Sequence, residues 1–188
     1  MRFLREGVML DLGAVGKGYA IEQATQLLRE AGVTSALLHG GTSTVSAVGQ
    51  PAEADAWKIA LHHPNPENVQ PLGTIPLKDE ALSVSAVWGR SFQADGKTFG
   101  HVLDPRTGRP VSRALLAAVI LPSATETDAL STALLVGGPE EHDSIAALRP
   151  EMKTLLVHEV EGDLRVRFHG LRGFAPEGML CAPAKRVP

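Results

Sequence analysis

Apolar side chains recur at two different periods along this 188-residue chain, and the periods divide it into helices and strands. From Lys17 onward, Ile21, Ala24, Leu27, Leu28 and Ala31 fall at helical spacing and Gly32 closes the run, which predicts a helix. Ser123-Ala124-Thr125-Glu126 has the spacing of a capping box. The pattern that follows, through Leu130, Ala133 and Leu134, predicts a second helix ending at Gly137-Gly138. A weaker third helical pattern covers residues 139–148. Residues 35–38, 57–62, 81–87 and 115–121 read as strands. Residues 91–94 and 97–103 flank Asp95-Gly96, a dipeptide suited to a tight hairpin turn, and residues 155–160 and 164–169 flank Glu161-Gly162-Asp163 in the same way. Between them, residues 62–76 carry Pro64, Pro66, Pro71 and Pro76 and read as a surface loop with a short extended piece. Hairpin pairs set between isolated helices predict an α+β fold, with mixed or antiparallel sheets packed against a few helices, rather than a doubly wound parallel sheet.

Composition narrows the function classes. With 44% hydrophobic and 21% charged residues, the chain is long enough to bury a core and is not a disordered composition. Its formal net charge of −3 advertises neither nucleic acid nor an anionic membrane as partner. No run approaches the roughly 18 consecutive apolar residues of a spanning helix. The single cysteine, Cys181, excludes an internal disulfide and a cysteine metal cage. Residues 1–7 are too short an apolar run for a signal peptide and hold no cysteine for lipid attachment, so the compartment stays open.

Three segments carry candidate chemistry. Residues 11–20, Asp-Leu-Gly-Ala-Val-Gly-Lys-Gly-Tyr-Ala, place glycines and Lys17 just before an amphipathic helix. Close backbone approach, unpaired helix-start N–H groups and a positive charge suit a phosphate; a plain glycine-rich turn into a helix fits equally well. The spacing is that of neither a Walker loop nor a dinucleotide fingerprint. Residues 100–110, Gly-His-Val-Leu-Asp-Pro-Arg-Thr-Gly-Arg-Pro, put the His101 imidazole, the Asp104 carboxylate and the Thr107 hydroxyl within seven residues, beside a turn signature. In the third segment, Asp128, Ser131 and Thr132 share one helical face, offering hard oxygen ligands suited to Mg²⁺; the same spacing also describes an ordinary polar helix face.

In this order the segments resemble the FAD:protein FMN transferases, the ApbE-like flavin transferases. That family shows D-L-G-x-[IV]-x-K-G-[YF]-A, then a strand ending in Gly-Gly-Asp. After these come H-x-x-[DN]-P-x-[TS]-G-x-P and a helix with A-D-A-x-[ST]-[TA]. The matching positions here are 11–20, Gly40-Gly41, 101–110 and 127–133, and the likeness runs over nearly the whole chain. It implies one ApbE-like domain over residues 1–188 and an Mg²⁺-dependent enzyme that splits FAD. Such an enzyme attaches FMN through a phosphoester to a Ser/Thr of a target flavoprotein and releases AMP; some relatives hydrolyse FAD to FMN and AMP. Carried over by position, the Ala14 carbonyl with Asp128 and Thr132 match the metal ligands, and Ser131 stands where some relatives place a second aspartate. Asp11, Lys17, Val102 and Thr107 match FAD contacts, and His101 and Asp104 are the candidates for the proton-accepting group.

The chain also departs from the pattern. Thr42 stands where the Gly-Gly-Asp aspartate is expected, and residues 81–86 read Ala-Leu-Ser-Val-Ser-Ala where relatives tend to Ala-Val-Ala-Thr-Ser-Gly. Gly16 replaces a common alanine. Relatives carry a long segment before the first motif that holds part of the flavin and adenine pocket, whereas Met1 here stands ten residues before Asp11. The expectation is a shortened homologue, or a start placed too late, with an FAD pocket lacking one wall. A catalytically impaired flavin-binding module of the same fold is therefore the alternative to an active transferase. Exposed apolar edges on a shortened subunit would favour a homo-oligomer.

Overall fold

Residues 116–121, Leu-Ala-Ala-Val-Ile-Leu, are apolar at every position because the strand they form is covered on both faces. In the computed structural model, which describes residues 2–65, 67–88, 91–94, 97–171, 174 and 180–183, this strand is the middle of a seven-stranded sheet. The sheet runs β1 (Ala36–Gly40), β2 (Thr44–Val48), β5 (Ala81–Ala86), β10 (Leu116–Leu121), β11 (Lys153–Val160), β12 (Asp163–His169) and β13 (Leu180–Pro183). Neighbours are antiparallel except β12 and β13, which are parallel. Three two-stranded hairpins complete the strands: β3 (Trp57–Leu61) with β4 (Gly73–Leu77), β6 (Ser91–Ala94) with β7 (Lys97–Gly100), and β8 (Leu103–Asp104) with β9 (Arg109–Pro110). The helices are α1 (Gly16–Glu30) and α2 (Ala124–Ala146). The α+β expectation holds.

Alternation along β10 assigns its side chains to two cores. Leu116, Ala118 and Ile120 pack with Leu61, Ile75 and Leu77 of the β3–β4 hairpin. Ala117, Val119 and Leu121 face Leu134, Leu135 and Ile145 of α2. Trp57 and Trp88 pack half-buried against the first core.

The second predicted helix ends where the sequence places it: α2 breaks at Gly138, with φ 70° and ψ −164°, and a further helical stretch follows from Pro139. Only glycine enters that conformation cheaply, and a Cβ there would lie 2.9 Å from the Arg113 Cβ. The short extended piece expected within 62–76 is most of β4, in which Pro76 pairs with Lys58. A proline is tolerated there because the strand pairs on one side only. The strand predicted over 97–103 stops at Gly100, which passes so close to the Val87 carbonyl that a Cβ would sit 2.7 Å from it; β8 then starts separately. Strands β2 and β13 were not expected. The Glu161-Gly162 turn is as tight as predicted, with φ of 55° and 88° at its two residues, whereas Asp95-Gly96 lies outside the described residues. Among the described residues no helix is long and apolar enough to cross a membrane. Leu4, Met9, Leu10, Leu12 and Tyr19, on and before the start of α1, are exposed.

The two helices cross at Gly18. A Cβ added there would stand 2.2 Å from the Ala124 carbonyl oxygen and 2.6 Å from the Asp128 Cβ, so a side chain would push the helices apart. Gly16, half a turn earlier, would meet nothing closer than the Leu12 Cβ at 3.8 Å. The pair makes an internal comparison: Gly18→Ala is expected to lower unfolding free energy by about 3 kcal/mol in urea titration. Gly16→Ala should leave it unchanged or raise it by up to about 0.5 kcal/mol.

The part of α2 after Gly138 is fastened to β11 and β12 by polar groups. His142 is fully buried, with Nε2 3.0 Å from the Thr154 hydroxyl and Nδ1 3.0 Å from Asp143. Arg167 donates to both Asp143 oxygens and to the Pro139 carbonyl. Burial lowers the pKa of His142 against the opposing pull of Asp143, and burial likewise lowers that of His158. Both imidazoles therefore take up protons more readily in the unfolded chain. Their stabilising contribution is complete above the ordinary imidazole pKa of about 6.5 and is lost as pH falls through and below it. Unfolding free energy measured between pH 7.5 and 5 is expected to fall by at most about 1.4 kcal/mol per pH unit for each histidine.

Candidate functional site

The start of α1 has no cap of its own: Val15 precedes it, no side chain of its own segment bonds its first turn, and that turn holds no acidic residue. The missing acceptor comes from α2. The Gly18 N–H, which in a regular helix would bond the Ala14 carbonyl four residues back, donates instead to Asp128 Oδ2 at 2.8 Å. Asp128 is buried, and its other carboxylate oxygen accepts no hydrogen bond among the described residues, nor does the Ala14 carbonyl. A carboxylate at a helix N-terminus is also favoured by the helix dipole.

The reverse contact is made by Glu22 of α1. It accepts from the Ser123 hydroxyl and from the Thr125 N–H, both at 2.7 Å, at the start of α2. Burial raises its pKa, but these hydrogen bonds outweigh burial and hold it below the usual carboxylate range. Half of the predicted capping box is present, the Glu126 N–H donating to Ser123 Oγ at 3.1 Å. The Glu126 carboxylate turns away to Arg149 at 2.7 Å.

Behind Asp128, α2 meets β5 through hydroxyls. Ser83 bonds Thr127 at 2.9 Å and Thr44 at 3.2 Å. Ser85 bonds Ser131 at 2.9 Å and Thr132 at 3.1 Å. Ser131 and Thr132 also donate to the Asp128 carbonyl, at 3.1 and 3.3 Å. Ser131 is fully buried in this seam, whereas Thr132 is half-buried.

The glycine-rich segment forms the other side. Asp11 is exposed, and its Oδ1 accepts the Gly13 N–H at 2.6 Å, fixing the loop. Lys17 reaches the β1–β2 turn, where its ammonium donates to the Ser43 hydroxyl. That turn is made at Gly41, with φ 69°.

The segment 101–110 packs toward the far half of α2. Asp104 is buried, with Oδ1 accepting from the Arg106 N–H and Nε at 2.9 Å each and Oδ2 from Nη2 at 3.0 Å. Bonded by Arg106 through side chain and backbone against the effect of burial, Asp104 sits below the usual carboxylate range. Arg106 also bonds Glu141 and the Val136 carbonyl. Thr107 Oγ1 accepts from the Arg109 N–H at 3.2 Å, so its hydroxyl helps close the turn. Val102 packs against the core under α2, and its carbonyl accepts the Val111 N–H. His101 is exposed next to Gly100, which passes over Val87, the residue just after β5.

The structure thus sets Asp128 against Gly18 at the helix crossing, next to Lys17 in the chain, with Ser131 and Thr132 following on α2 in the hydroxyl seam. Asp104 and Thr107 are committed to their own turn. Sequence reasoning missed Ser43, Glu22, Ser83 and Ser85. Only the serines of β5 left a signal, their alternation matching Thr127 and Ser131 one helical turn apart. Among the described residues no three His, Cys, Asp or Glu side chains cluster as a metal cage. The fit is instead to a hard cation: one carboxylate oxygen and one backbone carbonyl, both without hydrogen-bond donors among the described residues, with the Thr132 hydroxyl one turn along α2. This oxygen set suits Mg²⁺, which keeps several waters or phosphate oxygens of its own.

The FAD:protein FMN transferase of Klebsiella pneumoniae is 30% identical over 165 residues, covering 86% of this chain and 47% of that protein. The Escherichia coli K12 protein of the same name is 31% identical over 155 residues, covering 82% and 43%. The chain therefore spans less than half the length of these relatives. Among solved structures, the ApbE protein of Thermotoga maritima superimposes with a TM-score of 0.73 at 30% identity, over 85% of this chain and 51% of that one. The Pseudomonas stutzeri flavinyl transferase ApbE gives 0.68 at 28% identity, over 84% and 48%. The sequence profile of the ApbE family matches residues 1–156, and the chain belongs to that family.

Proposed function

We propose that this chain serves FMN transfer: FAD is cleaved at its pyrophosphate, FMN passes to a Ser/Thr hydroxyl of an acceptor flavoprotein, and AMP leaves. The acceptor oxygen bonds to the FMN phosphorus, the bond from that phosphorus to the bridging oxygen breaks, and AMP retains the bridging oxygen. The single observation that carries this reading is the diversion of the Gly18 N–H to Asp128. It leaves a carbonyl and a carboxylate oxygen without donors at a helix start that also holds Lys17.

Ala14, Asp128 and Thr132 would hold Mg²⁺, with Ser131 supporting from the hydroxyl seam. Bound there, the ion would neutralise charge developing on the phosphate oxygens. Lys17 and the N-terminus of α1 face the same anion. His101, exposed, accepts the acceptor hydroxyl proton. Asp104, tied to Arg106 by both oxygens, acts as a positioning residue that fixes the 101–110 turn. Asp11, Val102 and Thr107 shape the wall for the dinucleotide.

Asp128→Asn keeps an acceptor for the Gly18 N–H but removes the charge. It is expected to fold as the parent does and to lose about a hundredfold or more of Mg²⁺-dependent turnover. The assay incubates protein, FAD, Mg²⁺ and an acceptor flavoprotein, and reads acceptor-bound flavin fluorescence in gels together with AMP release. Undiminished turnover would remove Asp128 from the site, and AMP with only free FMN would identify hydrolysis instead of transfer.

A further inference from the structure

Lys17 lies on the exposed first turn of α1, yet its ammonium is tied down. Its partner is neutral, the Ser43 hydroxyl in the β1–β2 turn. No carboxylate lies within ion-pair distance of Lys17 among the described residues. Asp11, six residues earlier, gives its oxygen to the Gly13 N–H. Ser43 is itself anchored by the large sheet: its carbonyl accepts the Val84 N–H of β5 at 2.7 Å, and the next residue, Thr44, is buried and bonded to Ser83. The turn that presents this hydroxyl is therefore fixed to a central part of the fold.

A lysine ammonium carries three donors on a flexible stem. Engaging one of them with a hydroxyl limits the stem's freedom and leaves two donors and the full positive charge for a ligand. A carboxylate at the same place would restrain the stem equally well but would cancel the charge. The position of the restrained charge matters because the next residue, Gly18, is the one whose N–H holds Asp128.

We infer that Ser43 is a positioning residue for substrate binding: its hydroxyl holds the Lys17 ammonium, uncompensated, beside the N-terminus of α1 to receive the pyrophosphate of a dinucleotide. This inference rests on the FAD reading only for the identity of the dinucleotide. The role in anion binding stands by itself.

The test compares the full chain with Ser43→Ala, Ser43→Thr and Ser43→Asp by calorimetric titration. Two probes are used with MgCl₂ present, inorganic pyrophosphate and FAD, and thermal unfolding serves as the fold control. Ser43→Ala is expected to weaken pyrophosphate binding on the order of tenfold with little change in unfolding temperature. Ser43→Thr should restore affinity to near that of the parent, and Ser43→Asp should bind more weakly than Ser43→Ala because it neutralises the charge. Pyrophosphate binding with this ranking, but no binding of FAD, would support the role of Ser43 and sink the FAD reading. Parent-like pyrophosphate affinity in Ser43→Ala, or an unfolding temperature that falls while affinity holds, would overturn the inference, as would a parent protein that binds neither probe.

Discussion

The close approach of two helices at a glycine governs everything placed around it. With no Cβ at Gly18, the first turn of α1 lies against the Ala124–Asp128 turn of α2, near enough for a backbone N–H of one helix to reach a carboxylate of the other. That bond is exchanged for the one the helix would otherwise make to Ala14. The same contact thus closes the packing and opens two oxygens. Glu22 binds the start of α2 in return, so each helix supplies the acceptor for the other's N-terminal N–H groups. Each helix start thus meets a carboxylate of the other helix, a placement the helix dipole favours.

Burying hydroxyls between α2 and β5 is costly unless each finds a partner, and here each does. Ser83 and Ser85 alternate along the strand, Thr127 and Ser131 lie one turn apart on the helix, and Thr44 and Thr132 complete the seam. Small side chains let the helix lie close to the sheet, while the hydrogen bonds fix its rotation about its own axis. Rotation is what decides whether Asp128 faces α1 or solvent. The Ala-Leu-Ser-Val-Ser-Ala run at residues 81–86 therefore holds the helix through its two serines.

Past Gly138 the same helix serves a different purpose. His142, Asp143 and Arg167 tie its second half to β11 and β12, while Arg106 joins the 101–110 turn to Val136 and Glu141. One helix therefore spans the candidate reaction centre at its start and the anchor of the histidine-bearing segment at its middle. Asp104, attractive in the sequence as a base, illustrates how a neighbour redirects a residue. With both oxygens on Arg106 it favours its charged form and serves as a fixed counter-charge.

The sequence by itself determined the elements whose signals are local. Apolar spacing marked α1 and the first half of α2, the continuous apolar run of β10 marked a strand, and Glu161-Gly162 specified a tight turn. The order of the glycine-lysine, histidine-proline-threonine and aspartate-threonine segments marked the family, because ligand-holding backbone and side-chain types recur at set intervals. Strands β2 and β13 escaped because both are short and neither carries a strong alternating pattern. Only the tertiary structure decided which groups face each other. That Lys17 meets Ser43, that Glu22 meets Ser123, and that Asp128 reaches Gly18 across 110 residues are consequences of helices and turns brought together by burial of the sheet. Burial depends on the whole apolar surface at once and leaves no mark on any single residue.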